Sequence, residues 1–232
     1  VFFLQLDDQG GVYTLGQTRG NWPRVGNTYS TNNGRQFLTK LAPDLGSVLL
    51  STAFGTGRSN PDISPTAFLV DQCERIYICG WGGSINGGSY GNENTRGLPV
   101  TSNAMQRSTD GEDFYLMQLS PYAATLDYAT FFGGNSEEHV DGGTSRFDRR
   151  GMVYQAVCGG CGGSSSFPIP PGAGSFSTRN GSNGKCNNAA FKIDFGMNVA
   201  VAGPNQSVCA DAAPQRLAGA PAGDTWTGTG VT

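Results

Sequence analysis

The residues of this chain that could do chemistry fall into a few groups, and each has a plainer use to be weighed against. His139, the only histidine, stands in the run Asn135-Ser136-Glu137-Glu138-His139-Val140-Asp141-Gly142. An imidazole among carboxylates is a donor set that a divalent metal takes. The corresponding stretch of an earlier repeat, residues 57–65, carries no such cluster, so the run is read as a polar connection between two units. No metal or other cofactor is expected, and Glu137, His139 and Asp141 are the metal-ligand candidates of this run. Cys158-Gly159-Gly160-Cys161 has the spacing of a zinc knuckle or a redox pair, with Cys186 as a third thiol. Zinc would need a fourth ligand from His139, Cys73 or Cys79. A redox pair would need the motif to open a helix, whereas its surroundings are Gly, Ser and Pro. Structural disulfides are the preferred reading, with Cys186 bonded to either Cys158 or Cys161.

Carboxylates cluster at Asp7-Asp8, at Asp110, Glu112 and Asp113, and at Glu137-Glu138. A glycosidase needs two carboxyl groups about 5 to 10 Å apart across a cleft, and in a turn-rich chain such acids are more often solvated turn residues. One histidine and no Gly-x-Ser-x-Gly argue against a serine hydrolase. The Gly-rich run 82–91 has no Lys and no following helix to cradle phosphate. Aromatic residues are the better lead for binding. Trp22, Trp81, Tyr90 and Tyr122 are placed at loops or turns, where they meet a sugar or a protein, or else plug gaps between units.

The elements that must position these side chains are repeated. Residues 115–133, YLMQLSPYAATLDYATFFG, match residues 37–55, FLTKLAPDLGSVLLSTAFG, without a gap at a shift of 78, and AFKIDFG at 190–196 is a third, partial copy. A repeat of this length marks supersecondary units that bury their apolar faces against one another. A second phrase precedes each copy: LDDQGGVYTLG from Leu6, VDQCERIYICG from Val70 and FDRRGMVYQAV from Phe147. Asp followed by a Gly-bearing break between β-prone runs is hairpin chemistry, so Asp7, Asp71 and Asp148 are read as turn formers. Between the phrases lie Trp22-Pro23, Leu98-Pro99 and Phe167-Pro168, each proline in a connection and each apolar predecessor a plug. The longest connection, 81–96, is read as a surface loop.

The fold class that follows is all-β: repeated four-stranded antiparallel blades forming part of a β-propeller over residues 1–196, with copies at about 1–56, 57–134 and 135–196. From about residue 197 the grammar changes to short β runs among Ala, Gly and Thr, and 197–232 is read as the start of a β-sandwich module, with Cys209 paired to a cysteine beyond residue 232. The whole is expected to be a window of a longer mature protein.

Of 232 residues, 37% are hydrophobic and 14% charged, with 36 Gly and 12 Pro, which indicates many tight turns rather than disorder. A formal charge of −3 offers nothing to nucleic acid or an anionic membrane, and no apolar run is long enough to insert in one. Six cysteines in such a chain favour an oxidising, extracytoplasmic setting. Cys73 and Cys79 would lie about 20 Å apart on one extended strand, too far to pair unless the chain folds back.

With the phrases VDxxxxxYxxG, apolar-Pro and KLxPxLxxxLxxTxFG in hand, the chain resembles the SBBP-type β-propeller repeats of very large secreted proteins of Bacteroidota. Glu74-Arg75, where that pattern has Gly, and the lack of a Gly after Val157 depart from it. The last 35 residues resemble the PKD or immunoglobulin-like modules that follow such repeats, through Cys209 and the run Gly223-Asp224-Thr225-Trp226-Thr227-Gly228-Thr229-Gly230. The resemblance implies export by the type 9 route, display at the cell surface and a role in adhesion, gliding-type motility or extracellular filaments. The expected function is therefore a non-enzymatic structural or adhesive segment whose partners are extracellular protein or glycan surfaces, or further copies in a filament. The alternative is a carbohydrate-binding or carbohydrate-acting propeller.

Overall fold

Period-two apolar patterning broken by Asp- and Gly-bearing turns divides the chain into short strands, as alternation on a pleated sheet requires. A computed structural model describes residues 1–83, 93–141, 145–148, 151–170, 172 and 174–196. These residues are all-β and antiparallel, apart from a single 3-10 turn at Pro121–Ala123. The first sheet is β1 (Phe3–Leu6), β2 (Val12–Gln17), β3 (Gln36–Leu41) and β4 (Val48–Phe54), hydrogen-bonded in that order. The second is β5 (Ser64–Val70), β6 (Ile76–Trp81), β7 (Phe114–Leu119) and β8 (Leu126–Phe132), again in chain order. In the third sheet β10 (Met152–Gly159) lies between β9 (Arg146–Phe147) and β11 (Asn187–Asp194). Val1–Phe195 forms one unit and Gly196–Thr232 another. Residues 197–232, with Cys209 and the expected sandwich module, lie outside the described residues.

The shift of 78 that aligns the two copies in sequence carries β3 onto β7 and β4 onto β8, and even their irregularity recurs: the register slips at Lys40/Leu41 and again at Gln118/Leu119. The three aspartates each close a turn in the same way. Asp7 Oδ1 accepts from the amides of Gln9 and Gly11, Asp71 Oδ1 from those of Cys73 and Arg75, and Asp148 Oδ1 from that of Met152. Such a turn needs a residue with positive φ before the second strand, supplied by Gly10 (79°), Glu74 (62°) and Gly151 (74°). Glu74 thus holds a backbone region that favours glycine.

The sheets pack face to face, and the middle one has no wet face. Along β6 and β7, Ile76, Ile78, Tyr115, Met117 and Leu119 join Tyr13, Leu15, Leu38, Leu50 and Phe54 of the first sheet in one core. The alternate residues Cys79, Trp81, Phe114 and Leu116 join Val153, Val157 and Ile193 of the third sheet in another. This explains why all six residues of β6 are buried. The apolar-Pro plugs fit the same scheme: Leu98 belongs to the first core, Phe167 packs on the second, and Trp22 stacks on Phe37 at 3.8 Å on the outer face of the first sheet. That outer face leaves Leu4, Leu6 and Leu49 exposed.

Because neighbouring residues of β7 fill different cores, Leu116→Ala and Met117→Ala should each cost roughly 2–5 kcal/mol, read from the urea unfolding midpoint. A sheet with one solvent face would show the loss at only one of the two.

Candidate functional site

The four aromatics expected at loops or turns separate once placed. Trp81 is not in a loop but ends β6, 1% exposed within the core between the second and third sheets, so it meets no ligand at a rim; the connection expected from residue 81 onward begins after the strand. Trp22 does lie in a connection, yet it is half-buried: besides stacking on Phe37, its indole N–H donates to the hydroxyls of Thr39 (3.1 Å) and Ser51 (2.9 Å). Tyr90 lies outside the described residues. Tyr122 stands out, 59% exposed in the turn between β7 and β8.

Beneath Tyr122 is a charged cluster that joins the first two sheets. Lys40 on β3 faces the second sheet, its Nζ 2.7 Å from Asp7 Oδ2 and 3.0 Å from Glu74 Oε2, and 5.0 and 5.6 Å from the ring centres of Tyr13 and Tyr122. The Tyr13 hydroxyl donates to Glu74. Burial works against the Lys40 ammonium, but Asp7 and Glu74 outweigh it and hold its pKa above the usual lysine value. Burial likewise raises Asp7, but the Lys40 side chain and the amides of Gly11 and Gln9 outweigh it and bring the carboxyl below its usual value. A lysine so held is a cation, not a general base or a Schiff-base nucleophile. The theme recurs without Glu74: Tyr77 and Tyr154 donate to their own turn aspartates, Asp71 (3.1 Å) and Asp148 (3.4 Å), and Lys192 lies over Tyr154 at 5.6 Å.

The acid clusters also divide by burial. Asp110 and Glu112 line a shallow polar groove with Glu93, Asn94, Arg96 and Gly111. Asp113 and Glu138 are fully buried beside Gly133, where an added Cβ would come within 1.9 Å of Asp113 Oδ1 and 2.5 Å of Glu138 Oε2. Glu138 accepts from the amides of Gly134 (3.0 Å) and Gly160 (3.4 Å), and Gln106 donates to Asp113 Oδ2 (3.1 Å). Burial pushes Glu138 up to about 8, opposed by the Gly134 amide and helped by the charge of Asp113; burial also pushes Asp113 up to about 6. Two buried carboxyls side by side hold a proton at neutral pH. Asp62, in the preceding connection between sheets, does the same backbone work, accepting from the Thr56 amide at 2.8 Å. These acids fasten the connections rather than straddle a cleft.

Three of the cysteines and His139 meet at the end of β10 in the third sheet. Cys161 is bonded to Cys186, which resolves the two pairings left open by spacing, and Cys73, Cys79 and Cys158 are free. Cys73 is exposed in the Asp71 turn while Cys79 lies buried in β6, pushed up to about 12 by burial. An antiparallel bridge sets His139 opposite Cys158, with amide-to-carbonyl distances of 3.1 and 2.9 Å. His139 Nε2 is 3.2 Å from Asp141 Oδ1, Cys158 Sγ is 3.5 Å from Asp141 Oδ2, and His139 Nδ1 is 3.7 Å from Cys161 Sγ. Of the three expected metal candidates, His139 and Asp141 come together while Glu137 turns its carboxylate toward Gly83. Burial and the Asp141 carboxylate raise the Cys158 thiol, the opposite of an activated nucleophile. The sequence weighs Cys158 and His139 together as part of a zinc knuckle; what that reading misses is that Asp141 joins them while Cys161 and Cys186 are withdrawn into a disulfide.

No model of a known protein family matches the chain, and no curated protein matches it.

Two outcomes test this geometry. Trp22→Ala removes a stacked ring and its two hydrogen bonds, so it should lower stability by roughly 2–4 kcal/mol in a denaturant titration, a loss that a purely ligand-binding tryptophan would not cause. The Glu138 carboxyl titrates higher when folded than when unfolded, so its stabilisation is full only below its ordinary value of 4.5 and is lost as pH rises from there to about 8. Stability should therefore fall by roughly 2–3 kcal/mol between pH 6 and 9. In Glu138→Gln, which cannot ionise and keeps one of the two backbone acceptors, the melting temperature should change much less over that range.

Proposed function

We propose that this chain is a non-enzymatic structural and adhesive segment that works outside the cell, its three sheets serving as consecutive blades of a β-propeller-like array. The observation that carries the reading is the stack itself: one repeated unit, in the same register, packed face to face so that the middle sheet is buried on both sides. Sheets joined in this way make a stiff platform whose connections project at its edges, an arrangement suited to bearing load and presenting loops. The Cys161–Cys186 disulfide suits an oxidising compartment, in keeping with secretion to the cell surface. The partners are extracellular protein or glycan surfaces. The open outer face of the first sheet, with Leu4, Leu6 and Leu49 exposed, supports stacking on a second copy of the chain in a filament.

A second reading, a carbohydrate-binding or carbohydrate-acting propeller, draws on Tyr122, an exposed ring beside the Lys40 cation.

Beads coated with the purified chain should hold to protein- or glycan-coated glass under flow and release no product from glycan, peptide or ester substrates. Turnover of any of these, abolished by Asp110→Asn or Glu112→Gln, would overturn the structural reading. Glycan-array hits lost in Tyr122→Ala would move the function to the second one.

A further inference from the structure

We propose that His139, Asp141 and Cys158 form a zinc site at the end of β10, the middle strand of the third sheet. The bridge between His139 and Cys158 places the two side chains opposite each other, and Asp141 reaches both. One ligand atom from each residue can be chosen so that all three lie within 4.8 Å of one another. Around a tetrahedral zinc, with bonds of about 2.0 Å to N, about 2.1 Å to O and about 2.3 Å to S, the N to O edge is about 3.4 Å and the S to O edge about 3.6 Å. The observed separations are of that size, 3.2 Å from His139 Nε2 to Asp141 Oδ1 and 3.5 Å from Cys158 Sγ to Asp141 Oδ2. The carboxylate therefore turns one oxygen to the imidazole and the other to the thiol, and the three groups lie within reach of a single ion.

The donor set chooses among metals. One imidazole nitrogen, one thiolate and one carboxylate are the zinc repertoire, while calcium and magnesium take oxygen alone. In the zinc-bound tautomer the ring proton sits on Nδ1, on the side of Cys161 Sγ 3.7 Å away, and Nε2, 3.2 Å from Asp141 Oδ1, is left to take the ion. Cys161 and Cys186 are bonded to each other and offer no thiolate, so the oxidised chain has this three-ligand site and not a three-cysteine one. His139 is 3% exposed and the Asp141 side chain 66%, so the site has a buried anchor and an open side, leaving a fourth position for water or a partner's ligand. As the zinc–sulfur bond forms, the Cys158 thiol gives its proton to solvent, so each ion bound releases one proton. A cysteine-nucleophile reading of the same residues fails on geometry, because Asp141 and not His139 receives the thiol.

The experiment uses the full chain with its disulfide intact and no reductant. Zinc titrated into it in a calorimeter should bind one ion per chain and raise the melting temperature, and two buffers of different ionisation enthalpy should report the released proton. Cobalt should give a thiolate-to-metal charge-transfer band in the near ultraviolet. Cys158→Ser should abolish that band, and both Cys158→Ser and Asp141→Asn should weaken zinc roughly tenfold or more, with strand content unchanged by circular dichroism. Absence of zinc binding, or binding unchanged in Cys158→Ser, overturns the proposal. So does binding that appears only after reduction and disappears in Cys186→Ser, since that would assign zinc to the cysteines of the present disulfide. Adhesion of the coated beads is a separate readout and can fail while the zinc site stands.

Discussion

The burial of both faces of the β5–β8 sheet is the constraint on which the rest of this structure depends. A sheet with one wet face alternates apolar and polar residues, whereas one covered on both sides must be apolar at nearly every position. Strand β6, Ile-Tyr-Ile-Cys-Gly-Trp, meets that demand, and its glycine has a reason of its own: a Cβ at Gly80 would come within 2.8 Å of the Ser64 carbonyl oxygen and 2.9 Å of Ile63. Unlike a one-residue slip in a half-solvated sheet, a slip here would exchange one apolar set for another. Register has to be held by other means, and the Asp71 turn and the slip at Gln118/Leu119, both repeated elsewhere in the chain, supply them.

Several polar side chains of this stack lie at its seams. Lys40 reaches from the first sheet to Glu74 in the second, Gln5 exchanges two hydrogen bonds with the backbone of Val70, and the Gln155 amide donates to Thr66 across the second interface. Such contacts add little to what apolar burial provides, but they are directional, so they select one arrangement of two flat apolar faces that could otherwise slide. Glu74 shows the trade most plainly. A glycine there would relax a backbone at φ 62° but would remove the carboxylate shared by Lys40 and Tyr13.

Much of this was legible in the sequence because it rests on local rules. The aspartate turns, the two hairpins of each full copy and the apolar-Pro plugs follow from residue chemistry within a few positions of each feature, and all of them are present. Trp81 was misplaced because the glycines around it look like loop, while its burial is imposed by a sheet remote in sequence. The partner of Cys161 was undecidable for the same reason, since spacing does not say which cysteine faces Cys186. Asp113 and Glu138 read as solvated acids, because nothing in an isolated acidic pair reports that Gly133 will draw both into the interior. The misses all concern contacts between elements, and the readings that held concern contacts within them.

The third sheet shows how the same scaffold changes its chemistry on the face it does not share. Aligned on Tyr77 and Tyr154, the positions of Cys79 and Trp81 become Ala156 and Cys158, and their cross-strand neighbours Leu116 and Phe114 become Ala190 and Asn188. Large apolar pairs are replaced by small and polar ones, while the Tyr154 and Lys192 pair keeps the pattern of Tyr13 and Lys40. The turn chemistry that defines the unit is thus kept where the stacking chemistry changes. Removing a tryptophan also removes the bulk that would cover the end of β10. In its place Cys158, Asp141 and the Cys161–Cys186 bond gather around His139, and closing the 25-residue connection with that bond restricts the unfolded chain by an amount worth about 3 kcal/mol. The stack is therefore directional: its first sheet turns an apolar face outward and its third a polar, thiol-bearing one.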